Sequence, residues 1–234
     1  MKPGVSRLGR GACMIQVTRS EVVVSSRDAI ASLRDQFTRQ HYVILPKFIE
    51  KNLLDYALQR LQTASFYTHI HGGEGEAEVA REQSVSGHEP IASAFFLLLN
   101  RPDLFQMVQQ ITECPPIASF AGRFYVIEPN SDYHMEWHTD LGTGYLVGLS
   151  IHLTTEAYEG GVFQLRERST QQMLHEVDNV GFGSAHLFRL AKFLEHRVTP
   201  TVGDIPRMVY TGWFRAKPHY STSIRCMLQR HKQG

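Results

Sequence analysis

His138 and Asp140 stand two residues apart in Trp137-His138-Thr139-Asp140, and His196 follows Asp140 by 56 residues. In an extended segment, residues i and i+2 project to the same side. The imidazole and the carboxylate can therefore face one metal, with Thr139 turned away. A second imidazole from a distant strand completes a two-histidine, one-carboxylate set. Such a set covers one face of an octahedron and leaves three positions open, the arrangement associated with Fe(II) sites that use O2. Two open positions suit a bidentate 2-oxo acid, and the third suits O2. Arg207, eleven residues after His196, offers a planar, permanently charged fork for the far carboxylate of a 2-oxo diacid.

Taken singly, each of these residues has an ordinary explanation. A His-x-Asp triplet arises readily by chance in a chain with 12 histidines, and a lone histidine or arginine is usually a hydrogen-bonded or ion-paired side chain. The order and spacing of all the pieces carry the reading. His186 is the rival to His196 as the distal ligand but has no arginine at a matching offset. His134, His152 and His175 are the other histidines near the same region, and any of them could orient a ligand by hydrogen bonding. Trp137 and Trp213 flank the metal and arginine segments and are candidates for a substrate pocket.

The elements that must hold these residues fall into two groups. Asp28 is placed to cap a helix over 29–40, where Ile30, Leu33 and Phe37 share one face. A strand is expected over 41–45, stopped by Pro46, and further helices over 50–64, 91–100 and 102–112. The stretch 71–88, rich in Gly, Glu and Ser, reads as a loop or lid. From Ile117 onward short apolar runs recur between Gly, Pro and Asn, at 119–127, 144–153, 161–165, 172–177, 184–187, 195–198 and 207–215. Helices first and strands later point to an α+β fold in which helices cover a jelly-roll or sandwich core.

Bulk composition excludes several classes. A chain of 234 residues with 20% charged residues and a net charge of +1 offers no basic surface for nucleic acid or anionic membranes. Three scattered cysteines, Cys13, Cys114 and Cys226, do not make a disulfide framework, and no Cys-x-x-Cys pair suggests structural zinc. No apolar run approaches the roughly 20 residues of a membrane span. No apolar stretch follows Lys2, Arg7 and Arg10 as in a secretory signal. The expected compartment is the cytoplasm.

The segment 120–214 resembles the 2-oxoglutarate- and Fe(II)-dependent dioxygenase superfamily, above all its prolyl-4-hydroxylase-like branch. The resemblance is carried by Val126-Ile127-Glu128-Pro129-Asn130 leading into Trp137-His138-Thr139-Asp140, and by Tyr158-Glu159-Gly160-Gly161-Val162-Phe163. It continues in His196-Arg197-Val198-Thr199-Pro200 with Gly203, Arg207 and Gly212-Trp213-Phe214. It implies a double-stranded β-helix core over 117–216, a helical support region over 1–116 and a C-terminal extension over 217–234, all in one domain. It also implies a hydroxylase-type enzyme that uses Fe(II), 2-oxoglutarate and O2, with His138, Asp140 and His196 on the metal and Arg207 and Tyr125 on the co-substrate. Val209 stands where the family often has Ser or Thr beside the arginine, and Thr211 is the next residue on that face. The motifs say little about substrate; a short chain with no accessory domain and no basic or acidic patch points to a small molecule such as an amino acid or a natural-product intermediate. The alternatives are a protein side chain or, without turnover, a cupin-like metal sensor. Desaturation, cyclisation and epoxidation are open to the same iron unit, and oligomeric state is not legible.

Overall fold

The structure is a computed structural model that describes residues 14–71, 80–87, 89–131, 136–141 and 144–217. Strands β1 (Ile15–Val17) and β2 (Val22–Val24) pair antiparallel and lead into helix α1 (Arg27–Gln40). The cap of α1 is Ser26, not Asp28. The Ser26 hydroxyl oxygen accepts the Ala29 N–H at 3.1 Å, which satisfies one of the donors a helix start leaves open. Asp28 sits in the first turn, where the helix dipole favours an acid. Ala29, Leu33 and Phe37 are the buried stripe.

Strand β3 (Tyr42–Leu45) and helix α2 (Lys51–Leu61) follow, and α2 ends three residues earlier than the periodicity predicts. The expected loop over 71–88 is partly strand. β4 (Phe66–His71) reaches into it, and β5 (Ala80–Val85) lies within it. Residues 72–79 and His88 lie outside the described residues, so the lid reading has no structural counterpart here. Composition misleads at this point because sheet pairing uses backbone groups and does not require apolar side chains. Helices α3 (Pro90–Leu99) and α4 (Pro102–Thr112) each begin on a proline, whose missing N–H costs nothing at that position.

The remaining strands are β6 (Ser119–Ile127), β7 (Tyr145–His152), β8 (Glu159–Gly160), β9 (Phe163–Glu167) and β10 (Met173–Val177). They are followed by β11 (Ala185–Arg189), β12 (Leu194–Val198), β13 (Thr201–Val202) and β14 (Arg207–Arg215). A seven-stranded antiparallel sheet runs β3-β11-β7-β14-β6-β5-β4. A smaller sheet runs β10-β9-β12, and β8 pairs with β13.

Alternation gives the large sheet two different faces. Val147, Leu149 and Ile151 of β7, Phe120 and Phe124 of β6, and Tyr210 and Phe214 of β14 turn toward the helices. There Phe95 of α3 meets Phe124 and Tyr210 with ring centroids 4.7 and 5.1 Å away, and Phe105 of α4 meets Phe214. Each such pair adds about 0.5–1.5 kcal/mol beyond the area it buries. The other face looks at the smaller sheet, where Phe188 of β11 packs on Phe163 of β9 at 4.8 Å. The result is a mixed α/β fold dominated by antiparallel sheets, with helices packed on one face of the large sheet and the smaller sheet packed on the other. Among the described residues no helix is long and apolar enough to cross a membrane.

Candidate metal centre

The pairing of β14 with its neighbours sets the inward row. Arg207, Val209, Thr211 and Trp213 stand opposite Ile127, Tyr125, Arg123 and Ala121 of β6. On the other side, Val209, Thr211 and Trp213 oppose His152, Ser150 and Gly148 of β7. The register of β11 adds His186 and Phe188 to the same face.

Across the interior, the segment at His138 extends the smaller sheet. His138 and His196 exchange both backbone hydrogen bonds, at 3.1 and 2.9 Å. Ring nitrogen Nδ1 of His138 lies 2.9 Å from the carbonyl oxygen of Glu136, which turns Nε2 toward the interior. Asp140 reaches the same point by a different route from the one expected. Its backbone is left-handed at φ 50°, so a turn, not the alternation of an extended strand, returns the carboxylate to the histidines. Asp140 Oδ2 lies 3.1 Å from His196 Nε2, and Oδ1 lies 3.5 Å from His138 Nε2. One ligand atom from each of the three residues falls within 4.8 Å of the other two, and no other such cluster occurs among the described residues. Ligands about 2.1 Å from a metal and at right angles are roughly 3 Å apart, so the donor set fits one ion with little adjustment.

Burial alone would raise the Asp140 pKa. The hydrogen bond from His196, the nearby His196 and His138 rings and the Trp213 indole outweigh it and hold the carboxyl down at about 2. The Trp213 N–H donates to Asp140 Oδ2 at 2.8 Å, and its ring stacks on Tyr145 with centroids 5.1 Å apart. Trp213 thus belongs to the site as an anchor for the carboxylate. Trp137 does not line the interior. It alternates with His138, lies on the outer face, and has the guanidinium carbons of Arg166 and Arg197 at 4.1 and 4.6 Å from its ring centroid.

Arg207 is fully buried at 1% exposure. Its Nη1 donates to the Tyr125 hydroxyl at 3.4 Å, so the arginine and tyrosine named from the sequence meet. Gly161, at φ 60°, lets the chain pass here. A Cβ on it would lie 2.6 Å from Arg207 Cδ. Thr211 has no proton left to donate to a ligand, because its hydroxyl donates to the Leu149 carbonyl at 3.0 Å. His186 stays apart from the triad. Burial, with Arg207 and His196 nearby, pushes its pKa down to about 3. His175, on β10, packs against Tyr42 at 4.8 Å, and His134 lies outside the described residues. Sequence reasoning gave no role to Tyr158, which touches both Arg207 and His152; its place directly before Gly160-Gly161 was the available signal.

The interior between Arg207 and the triad contains buried polar atoms with no hydrogen-bond partner among the described residues. They are Ser150 Oγ, His152 Nε2 and both ring nitrogens of His186. Such orphans are rare in native interiors and mark places where a polar ligand or water belongs.

No protein-family model matches the sequence, and no curated protein matches it. Solved structures do share the fold. A 2OG-Fe(II) oxygenase family oxidoreductase from Burkholderia pseudomallei superposes with a TM-score of 0.63 at 13% identity, covering 87% of this chain and 96% of its own. A prolyl hydroxylase from Trichoplax adhaerens, in complex with a hypoxia inducible factor peptide fragment, gives 0.62 at 14% identity over 80% and 89%. The non-heme alpha ketoglutarate dependent epimerase SnoN of nogalamycin biosynthesis gives 0.59 at 15% identity over 81% and 83%.

Proposed function

We propose that this protein is an Fe(II)- and 2-oxoglutarate-dependent oxygenase of the hydroxylase type, built on a double-stranded β-helix. One observation carries the reading: the ligand atoms of His138, Asp140 and His196 converge inside the same two-sheet interior that buries Arg207 beside Tyr125. A zinc hydrolase would need the three ligands but would have no use for the buried arginine. A non-catalytic metal sensor would need neither Arg207 nor the orphaned polar atoms between it and the triad.

The residues present fit the iron and the co-substrate. His138, Asp140 and His196 would hold the metal on one face, and Arg207 with Tyr125 would bind the distal carboxylate. Bound Fe(II) supplies O2 activation coupled to loss of CO2 from 2-oxoglutarate, so that 2-oxoglutarate, O2 and R–H become succinate, CO2 and R–OH. This chain's contribution is placement. The three side chains would hold the metal and leave room on it for a chelating 2-oxo acid. The buried guanidinium fixes which end of that acid points inward. Phe163 and Phe188, packed on His196 at 5.7 and 4.8 Å, keep water from that side.

Substrate access is from the His138 and Asp140 side, where those side chains are 32% and 20% exposed against 7% for His196. Leu141 at the same rim is 43% exposed, an apolar contact for an incoming molecule. The substrate class is a small molecule, in keeping with a net charge of +1 that offers no strongly charged docking surface; the peptide bound to the Trichoplax adhaerens neighbour makes a peptide side chain the competitor. Anaerobic addition of Fe(II) and then 2-oxoglutarate is expected to raise a metal-to-ligand charge-transfer band. Admitting air should then yield succinate slowly without a prime substrate, and faster with the right one in a screen of amino acids, natural-product intermediates and peptides. An iron-loaded sample that develops no band and no succinate would end the proposal.

A further inference from the structure

We propose that His152, set by Tyr158, is a binding residue for the distal carboxylate of the co-substrate, acting beside Arg207; the inference rests on the 2-oxoglutarate reading above. The three side chains form one relay. Arg207 lies against Tyr158 beside Gly161 and favours the charged form of its phenol, and that phenol oxygen lies 3.2 Å from His152 Nδ1. A guanidinium has donors only, so the phenol oxygen accepts on that side. The assignment that leaves no phenol proton unpaired sends it to Nδ1. The single proton of a neutral imidazole then sits on Nε2. Burial, reinforced by His186 and Arg207, holds the His152 pKa well below its ordinary value, so the ring is neutral.

Nε2 is buried and has no hydrogen-bond partner among the described residues. His152 faces the interior from β7, directly opposite Val209, and Arg207 is the next inward residue along β14. A buried N–H without an acceptor is costly. One group can accept from this N–H and from a guanidinium two strand positions away while matching the guanidinium's charge, and that group is a carboxylate. The same place in the fold explains why Gly161 carries no side chain. A Cβ there would meet Arg207 Cδ at 2.6 Å and Tyr158 Cε2 at 2.9 Å and spread the pair. Neither Val209 nor Thr211 can contribute, the first being apolar and the second spent on Leu149. His152 supplies the donor that these positions lack.

The test is equilibrium binding to the Fe(II)-loaded protein under anaerobic conditions, by calorimetry, with two probes. One is 2-oxoglutarate. The other is 2-oxopentanoate, which keeps the chelating 2-oxo acid and lacks the distal carboxylate. His152→Leu is expected to weaken 2-oxoglutarate roughly tenfold to hundredfold and to leave 2-oxopentanoate unchanged. Tyr158→Phe releases Nδ1 and lets the ring take either tautomer, so it should weaken 2-oxoglutarate several-fold with the same selectivity. Equal losses for both probes would mean a merely structural role and overturn the proposal, as would a folded His152→Leu protein with unchanged 2-oxoglutarate affinity. Should His152→Leu fail to fold by circular dichroism, the Tyr158→Phe selectivity decides. Wild-type protein that binds 2-oxoglutarate no more tightly than 2-oxopentanoate overturns the distal-carboxylate role of Arg207 and of His152 together. Wild-type protein that binds Fe(II) and neither probe overturns the 2-oxoglutarate reading, and this proposal with it.

Discussion

Asp140 Oδ2 receives the Trp213 indole N–H as well as the approach of His196, so the carboxylate is aimed by a residue 73 positions away in the sequence. Trp213→Phe keeps an aromatic ring over Tyr145 and removes only the donor. Partners of this kind are worth about 10- to 100-fold in metal affinity, so Fe(II) binding should weaken by at least tenfold while the fold survives. Anaerobic Fe(II) titration checks this, and an unaltered affinity would show that the indole only packs. Gly161→Ala acts on the other half of the site. Its backbone is left-handed at φ 60° and the new Cβ would crowd Arg207; strain of that sort costs about 1–3 kcal/mol. Both the urea midpoint and the 2-oxoglutarate affinity should fall, and a loss of neither would refute the packing argument. The gathering of His138, Asp140 and His196, and the meeting of Arg207 with Tyr125, were legible from order and spacing, although no one of these residues would have signalled it alone. The role of Trp213 was not, because no spacing rule connects a strand residue to a turn so far off in sequence. The misplacement of Trp137 was avoidable: if His138 faces inward, its neighbour in an extended segment faces out.

The longer strands from β6 onward followed the sequence closely, since alternation and Gly, Pro and Asn punctuation both act locally, while the two-residue strands β8 and β13 are too short to show a pattern. β4 and β5 escaped because they pair through the backbone at the sheet's edge. Glycines within the strands carry information that periodicity does not. Gly148 of β7 lies opposite Phe188 of β11, and a Cβ there would enter the phenyl ring. Phe188 in turn packs on His196, so the missing side chain on one strand makes room for the ring that backs His196 from the facing sheet. Gly148→Ala should therefore cost about 1–3 kcal/mol by overpacking. Adding Phe188→Leu should recover part of it, because the ring that clashes is gone. Urea unfolding of the two single variants and the double variant tests the coupling. Strictly additive losses would mean that the two positions do not press on each other.

At the scale of the whole molecule, the fold encloses histidines that stay neutral. The order in which β3, β11, β7, β14 and β6 line up could not be read from the chain, and that order is what closes His152 and His186 in between two sheets. Burial, joined by the charges of Arg207 and a neighbouring histidine, lowers both: His186 to about 3 and His152 well below 6.5. A group whose folded pKa is depressed binds fewer protons folded than unfolded. Above 6.5 neither state of such a histidine is protonated and no penalty arises. Below 6.5 the unfolded chain gains a proton that the folded protein refuses, so stability falls as the pH drops. Asp140, held at about 2, stays ionised in both states above pH 5 and does not contribute there. Between pH 7.5 and 5.5 each buried histidine should remove about 1.4 kcal/mol, roughly 3 kcal/mol for the pair. The check is the urea midpoint of chelator-treated protein across that range. Replacing His186 by Phe, which suits its packing against Phe163 and Phe188, should about halve the slope. A wild-type midpoint that does not move with pH, or a slope the His186→Phe variant leaves intact, would mean that these rings are not held neutral between the sheets.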